Sequence, residues 1–135
     1  MKSYLLEGEE SQRLLFRRIS PEDFDSWLPF YEDPSSTAFW EGLPKDPITA
    51  CEEQFERVFE RYEKELGGMN ALIKKDSFEL IGICGLLVQI VDDIEELEIG
   101  YSLLPKFRGK GYATESAQKC RDFAFENGLS DSLIS

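Results

Sequence analysis

Histidine is absent from this chain, and cysteine, methionine and tryptophan are scarce, at 3, 2 and 2 of 135 residues. Without an imidazole there is no Ser–His–Asp or Cys–His relay and no ordinary histidine-bearing metal site, so proton transfer falls to Glu, Asp, Tyr, Lys or Cys. Cys51, Cys84 and Cys120 are odd in number, widely spaced and set among apolar neighbours. They read as buried thiols, which argues against a disulfide framework, a zinc site and a covalent acyl-cysteine mechanism, and no metal is expected. No apolar run reaches the ~20 residues of a membrane span, and the N-terminus turns acidic at Glu7, Glu9 and Glu10 before a secretory core develops. A cytoplasmic protein with no membrane partner is the expectation. Basic residues are also few: 15 Lys and Arg face 27 Asp and Glu, a net charge of −12. Nucleic acid is therefore excluded as a partner, because phosphate neutralisation dominates such binding.

What remains is a globular balance, 41% hydrophobic and 31% charged, over a length that one domain fills. Residues 1–135 are read as a single domain. From Pro21 to Leu66 there are 13 acidic and 4 basic residues, whereas Pro105 to Arg121 holds 5 basic and 1 acidic. An anionic ligand at the second segment and a cationic amine near the first suit that asymmetry; solvated helix faces explain any single charge equally well.

Ser11 to Ile19 carries Leu14-Leu15-Phe16 between arginines and reads as the first strand. A helix start follows, with Ser20 as N-cap, Pro21 at the first helical position, Asp23 in the capping-box place and Ile19 and Phe24 as a hydrophobic staple. Pro29 is expected to kink or end this helix early. Glu32 to Lys45 reads as loop, and its Phe39 and Trp40 either line a substrate-binding cleft or pin the loop to the core. Asp46-Pro47 opens a second helix with Cys51, Phe55, Val58, Phe59 and Tyr62 on one face, closed by Gly67-Gly68. Asn70 to Lys74 and Glu79 to Val91 read as a strand hairpin over Lys75-Asp76-Ser77, and a turn at Asp92-Asp93 leads into a strand from Glu95 to Leu104. The helix from Gly111 to Asn127 places Ala113, Ala117, Cys120 and Ala124 inward and ends at Gly128, after which Ser130 to Ser135 would begin another strand. The order is β-α-α-β-β-β-α-β.

The segment with most chemical content joins the last full strand to that helix: Leu97-Glu98-Ile99-Gly100-Tyr101-Ser102-Leu103-Leu104-Pro105-Lys106-Phe107-Arg108-Gly109-Lys110-Gly111-Tyr112-Ala113-Thr114-Glu115. At a helix start the first N–H groups lack partners and the dipole is positive, so an anion fits there if side chains leave room. Gly109, Gly111 and Ala113 leave room, and Arg108 and Lys110 add charge. The spacing is not that of a P-loop, which needs Gly-Lys followed by a hydroxyl. Nor is it a dinucleotide fingerprint, because Thr114 stands where the third glycine would be. Glycine used only for turn geometry is the alternative reading.

The remaining pattern, Arg-x-x-Gly-x-Ala at Arg108, Gly111 and Ala113 behind a strand with Glu98 and Gly100, resembles the GNAT superfamily of N-acetyltransferases, and most closely its RimJ/RimL branch. The resemblance implies an α/β fold with a mixed sheet flanked by helices, and acetyl-CoA as co-substrate. Its pyrophosphate would lie on Arg108, Gly109, Lys110, Gly111, Tyr112, Ala113 and Thr114, and its pantetheine arm on the backbone of Ser102, Leu103 and Leu104. The acceptor would be a primary amine, of a protein N-terminus or a small cationic molecule. The family continues with a further helix and a terminal hairpin. On this reading the chain lacks those elements, and an incomplete final strand would leave a sheet edge open to a second copy. A coenzyme A-binding or protein-interaction module without catalysis is the alternative.

Direct acyl transfer needs a positioned thioester, donors to its carbonyl, a neutral amine and a proton for the departing sulfur. Glu98 is the candidate for binding and deprotonating the amine, directly or through water. Partial burial strengthens a carboxylate as a proton acceptor, and Glu98 sits between Leu97 and Ile99. A purely structural carboxylate is the other reading. Tyr101 or Tyr112 would serve as the sulfur's proton donor if either reaches it.

Overall fold

The computed structural model describes residues 3–38, 42 and 46–129. Four strands, β1 (Leu14–Arg18), β2 (Gly67–Lys74), β3 (Leu80–Val91) and β4 (Ile94–Leu103), form one sheet in the order β1-β2-β3-β4. Every described pairing is antiparallel. Helices α1 (Phe24–Glu32), α2 (Pro34–Thr37) and α3 (Pro47–Glu63) come between β1 and β2, and α4 (Tyr112–Glu126) follows β4. Ser130 to Ser135, the expected further strand, lies outside the described residues.

Period-two alternation sends each strand's side chains to two cores. Leu72, Cys84, Leu86, Val88 and Leu97 pack with Cys120 and Ala124 of α4 on one face. Ala71, Ile73 and Ile83 pack with Trp27 and Phe30 of α1 and Cys51, Phe55 and Val58 of α3 on the other. Leu72 pairs with Gly82 but Ile73 pairs with Leu80, so Ile81 is an extra residue, and this bulge turns it into the α4 core. The strands come so close at Gly85 that a Cβ there would lie 2.0 Å from the Gly68 carbonyl oxygen. Asn70 is fully buried between layers, where its Oδ1 accepts the Leu6 N–H at 3.2 Å and its Nδ2 donates to the Cys84 carbonyl at 3.0 Å. A buried amide paired in this way is held without an unsatisfied polar group.

Three expectations change. Pro29 lies inside α1 and does not end it; burial of Trp27, Phe30 and Tyr31 on either side outweighs one lost backbone hydrogen bond. Asp33-Pro34-Ser35-Ser36 is the start of α2 where a loop was expected, with the Asp33 carboxylate accepting the Ser35 N–H at 2.9 Å. Gly67 and Gly68 belong to β2, paired with Leu87 and Leu86, and do not cap α3. That helix ends earlier, with Glu65 left-handed at φ 56°.

Two starts and one turn agree with the sequence reading. The Asp23 carboxylate accepts the Ser20 N–H at 2.8 Å and pairs with both terminal nitrogens of Arg17 at 2.8 and 2.7 Å, fixing the 3-10 turn Pro21–Asp23 ahead of α1. Asp46 caps α3 through the N–H and hydroxyl of Thr49. Val91 pairs with Ile94 across Asp92 and Asp93, both at positive φ, the twist that a two-residue hairpin turn requires.

Candidate active site

β4 ends where Leu104 N–H donates to the Ile81 carbonyl at 2.9 Å. Because antiparallel pairs alternate between bonded and non-bonded, this fixes the backbone of Ser102, Gly100 and Glu98 toward β3 and leaves Leu103, Tyr101 and Ile99 facing the outer side. Among the described residues no strand pairs with that edge. Of the three residues read from sequence as backbone contacts, Leu103 therefore faces outward, whereas Ser102 and Leu104 are engaged by β3. Tyr101 and Ile99 share the outward parity but were not read from sequence as backbone contacts, because register parity depends on which strand pairs with which.

After the turn Pro105–Phe107 the chain reaches Gly109 and Gly111 at φ 74° and 87°, the region that glycine adopts without strain. Gly111 is the N-cap of α4 and supplies no capping side chain. Among the described residues, no acceptor meets the backbone N–H of Gly109, Lys110, Gly111, Tyr112, Ala113 or Thr114. A Cβ on Gly109 would meet nothing within 4 Å. Six unmatched donors at the positive end of a helix, with open space beside them, fit an anion.

The turn is braced from the start of β1. Arg13 Nε donates to Glu115 Oε1 at 2.6 Å, Nη1 donates to the Lys110 carbonyl at 3.1 Å, and the guanidinium carbon lies 4.1 Å from the centroid of the Tyr112 ring. Sequence reading missed this arginine, which is distant in the chain. Tyr112 is buried beneath it and against Phe107, whereas Tyr101 is half-exposed. Tyr101 lines a cleft of about 580 Å³ between β4 and α4, together with Ile99, Ala113, Thr114, Ala117 and Arg121.

Glu98 is half-buried on the opposite face of the sheet, the side of α1 and α3. Its Oε1 accepts a long bond from Gln89 Nε2 at 3.4 Å, and the Gln89 oxygen in turn accepts from Arg61 Nη2 at 3.3 Å. Arg61 of α3 is itself anchored on the carbonyls of Leu66 and Val88. The edge of β4 that is unpaired among the described residues thus separates a carboxylate on one face from a cleft and a donor-rich helix start on the other.

Arg108 differs from the phosphate fork that its place in the sequence led us to expect. Its guanidinium bonds to Leu103, Ser35 and Ser36, toward α2 and away from α4. Lys110 is exposed on the turn. Phe39 and Trp40 lie outside the described residues. No group of three His, Cys, Asp or Glu side chains comes together among the described residues, and none of their helices is long and apolar enough to cross a membrane.

Residues 13–135 match the acetyltransferase (GNAT) domain family. The chain is 28% identical over 115 residues to the uncharacterized N-acetyltransferase p20 of Bacillus licheniformis, covering 85% of this chain and 64% of that protein. It spans less than two thirds of the length of the curated relatives it matches. Among solved structures it resembles an acetyltransferase from Agrobacterium tumefaciens strain C58, with a TM-score of 0.75 and 22% identity over 98% of this chain and 75% of that one. It also resembles RimL, a ribosomal L7/L12 α-N-protein acetyltransferase solved with coenzyme A, at a TM-score of 0.63 and 14% identity over 87% and 66%. These likenesses establish the fold, and with the family match they lead to one conclusion: the chain belongs to the GNAT acetyltransferases.

Proposed function

We propose that this chain carries the cofactor-binding and amine-activating part of an N-acetyltransferase that moves an acetyl group from acetyl-CoA to a primary amine. The observation that carries the reading is the row of N–H donors from Gly109 to Thr114, unmatched among the described residues and continuous with the edge of β4 that no described strand pairs. Gly109, Lys110, Gly111, Tyr112, Ala113 and Thr114 hold the diphosphate, chiefly through backbone donors and the start of α4, with Lys110 adding charge. The outward N–H and C=O groups of Tyr101 and Ile99, together with the outward N–H of Leu103, whose carbonyl is taken by Arg108 Nε, pair with the amide-bearing pantetheine arm as a strand would. When bound, acetyl-CoA supplies an activated acyl carbon. An outward N–H of β4 polarises its carbonyl.

Glu98, oriented by Gln89, accepts the amine's proton directly or through one water, so the nitrogen attacks neutral. Tyr101, on the cleft side, is placed to return a proton to the sulfur; Tyr112 is buried and serves to pack the turn. The acceptor is an amine of a protein N-terminus or a small cation, in keeping with the acid-rich segment from Pro21 to Leu66 and with the activity named for the RimL neighbour.

Calorimetric titration of acetyl-CoA into the purified chain tests the first half. Stoichiometric binding that ATP and NAD do not match is expected, and a folded sample that takes up none would overturn it. Glu98→Gln tests the second half: binding is retained while amine acetylation falls by about 100-fold or more, the usual loss when a general base is removed.

A further inference from the structure

Arg108 leaves the chain beside the anion-holding turn, yet none of its nitrogens serves that turn. Nε donates to the Leu103 carbonyl at 3.3 Å, Nη1 to Ser35 Oγ at 3.0 Å and Nη2 to Ser36 Oγ at 2.7 Å. The guanidinium carbon lies 5.9 Å from the centroid of the Phe30 ring. Phe30 belongs to the core beneath α1 and α3, on the sheet face opposite α4. The side chain therefore crosses the end of β4 to the face that carries Glu98.

The two hydroxyls it meets are adjacent in sequence, and their spacing matches the planar fork of a guanidinium. Asp33 orients the first of them: its Oδ1 accepts both the N–H and the hydroxyl of Ser35, at 2.9 and 2.6 Å. A four-residue helix holds little structure by itself, and its described ends lean on α1 and on this one arginine.

Resting on the acetyl-CoA reading above, we propose that Ser35, Ser36 and Arg108 form a clasp that fastens α2 to the end of β4 and sets the amine-side wall of the site. Arg108 is a positioning residue for the acceptor, and the cofactor's diphosphate is held without its guanidinium. Lysine keeps the charge but not the fork. A clasp therefore treats Arg108→Lys like Arg108→Ala, whereas a phosphate-binding cation would be largely rescued by lysine.

The test compares the wild-type chain with S35A/S36A, R108K, R108A and the triple variant S35A/S36A/R108A, by calorimetry with acetyl-CoA and by amide hydrogen exchange over residues 33–38. The expected result is faster exchange in that segment by about ten-fold in every variant, with no further increase in the triple variant because the three groups act as one unit. Acetyl-CoA affinity of S35A/S36A stays within about two-fold of wild type, while KM for the acceptor amine rises and kcat is kept. Unchanged exchange over 33–38 would overturn the clasp, as would a loss of acetyl-CoA affinity of about ten-fold or more in R108A that R108K restores. Failure of the wild-type chain to bind acetyl-CoA would remove the functional reading instead, and the exchange comparison would still decide the clasp.

Discussion

Glu115, in the first turns of α4, is held by Arg13, which precedes β1: its carboxylate accepts the Arg13 backbone N–H at 2.8 Å and Nε at 2.6 Å, and takes the Ser11 hydroxyl at 2.5 Å. One side chain thus ties the first strand to the helix whose start forms the proposed anion site. With the same guanidinium on the Lys110 carbonyl and the Tyr112 ring, the shape of the glycine turn depends on a contact across the whole chain.

Burial alone would raise the Glu115 pKa, but the donors from Ser11 and Arg13 outweigh it and hold the group below its ordinary value of 4.5. A carboxyl depressed in the folded state contributes stability that is full above the unfolded value and is lost as pH falls through the folded one. Glu115→Gln is expected to lower stability by about 1 to 2 kcal/mol at neutral pH, reduced for the partly exposed arginine. The difference from wild type should shrink below pH 4.5. Urea midpoints measured from pH 7 downward check this, and a constant difference would assign the loss to packing.

Helices α3 and α4 end with the same pair of backbone bonds but different residues at the left-handed position. In α4, Gly128 stands at φ 64°, with Leu129 N–H bonded to the Ala124 carbonyl. In α3 the residue is Glu65 at φ 56°, with Leu66 N–H bonded to the Arg61 carbonyl. An L-residue is strained there by about 1 kcal/mol. Glu65→Gly should therefore stabilise the chain by up to that amount and Gly128→Ala should destabilise it similarly, as read from denaturant midpoints at constant m-value.

The thiols should be silent in the native state. Cys84 and Cys120 face each other at 3.5 Å, fully buried between β3 and α4. The neighbouring Cys84 sulfur and burial both push the Cys120 thiol upward, and burial beside Glu52 raises Cys51 to about 11. A thiol-disulfide reagent at pH 8 should label none of the three in the folded chain and all three in denaturant. Rapid native labelling of Cys120 would reopen covalent catalysis.

Gly111→Ala separates the two uses of the turn. A Cβ there would approach Arg13 Nη2 to 3.3 Å, and alanine is strained at φ 87°. Stability should fall by about 1 kcal/mol, while acetyl-CoA affinity falls by about ten-fold because several donors lose their common aim. Thermal shift with and without acetyl-CoA distinguishes these effects; equal shifts in both conditions would mean that the turn does not hold the cofactor.

Much of this was written locally. Ser20 with Asp23, Asp46 with Thr49 and the Asp92-Asp93 turn each act within a few residues, so their chemistry appears directly in the chain. The glycine spacing before α4 is likewise local, which is why the proposed anion site was legible before any fold was known. Gly67-Gly68 read falsely as a helix stop because glycine permits both a cap and a close strand crossing; the Gly68 carbonyl against Gly85 decides for the crossing. Pro29 was expected to kink or end α1 and does not end it, because propensity weighs one lost hydrogen bond and does not see the buried aromatic side chains around it.

The sequence by itself determined strands β1, β3 and β4, helices α1, α3 and α4, the glycine turn before α4 and the absence of imidazole chemistry, since these depend on residue type and spacing. Tertiary structure alone decided which backbone groups of β4 face outward, that Arg13 braces the turn, and that Arg108 reaches Ser35 and Ser36 across the sheet end. Those outcomes depend on strand register and on contacts between residues from 72 to 102 positions apart, where no local pattern constrains which partners meet.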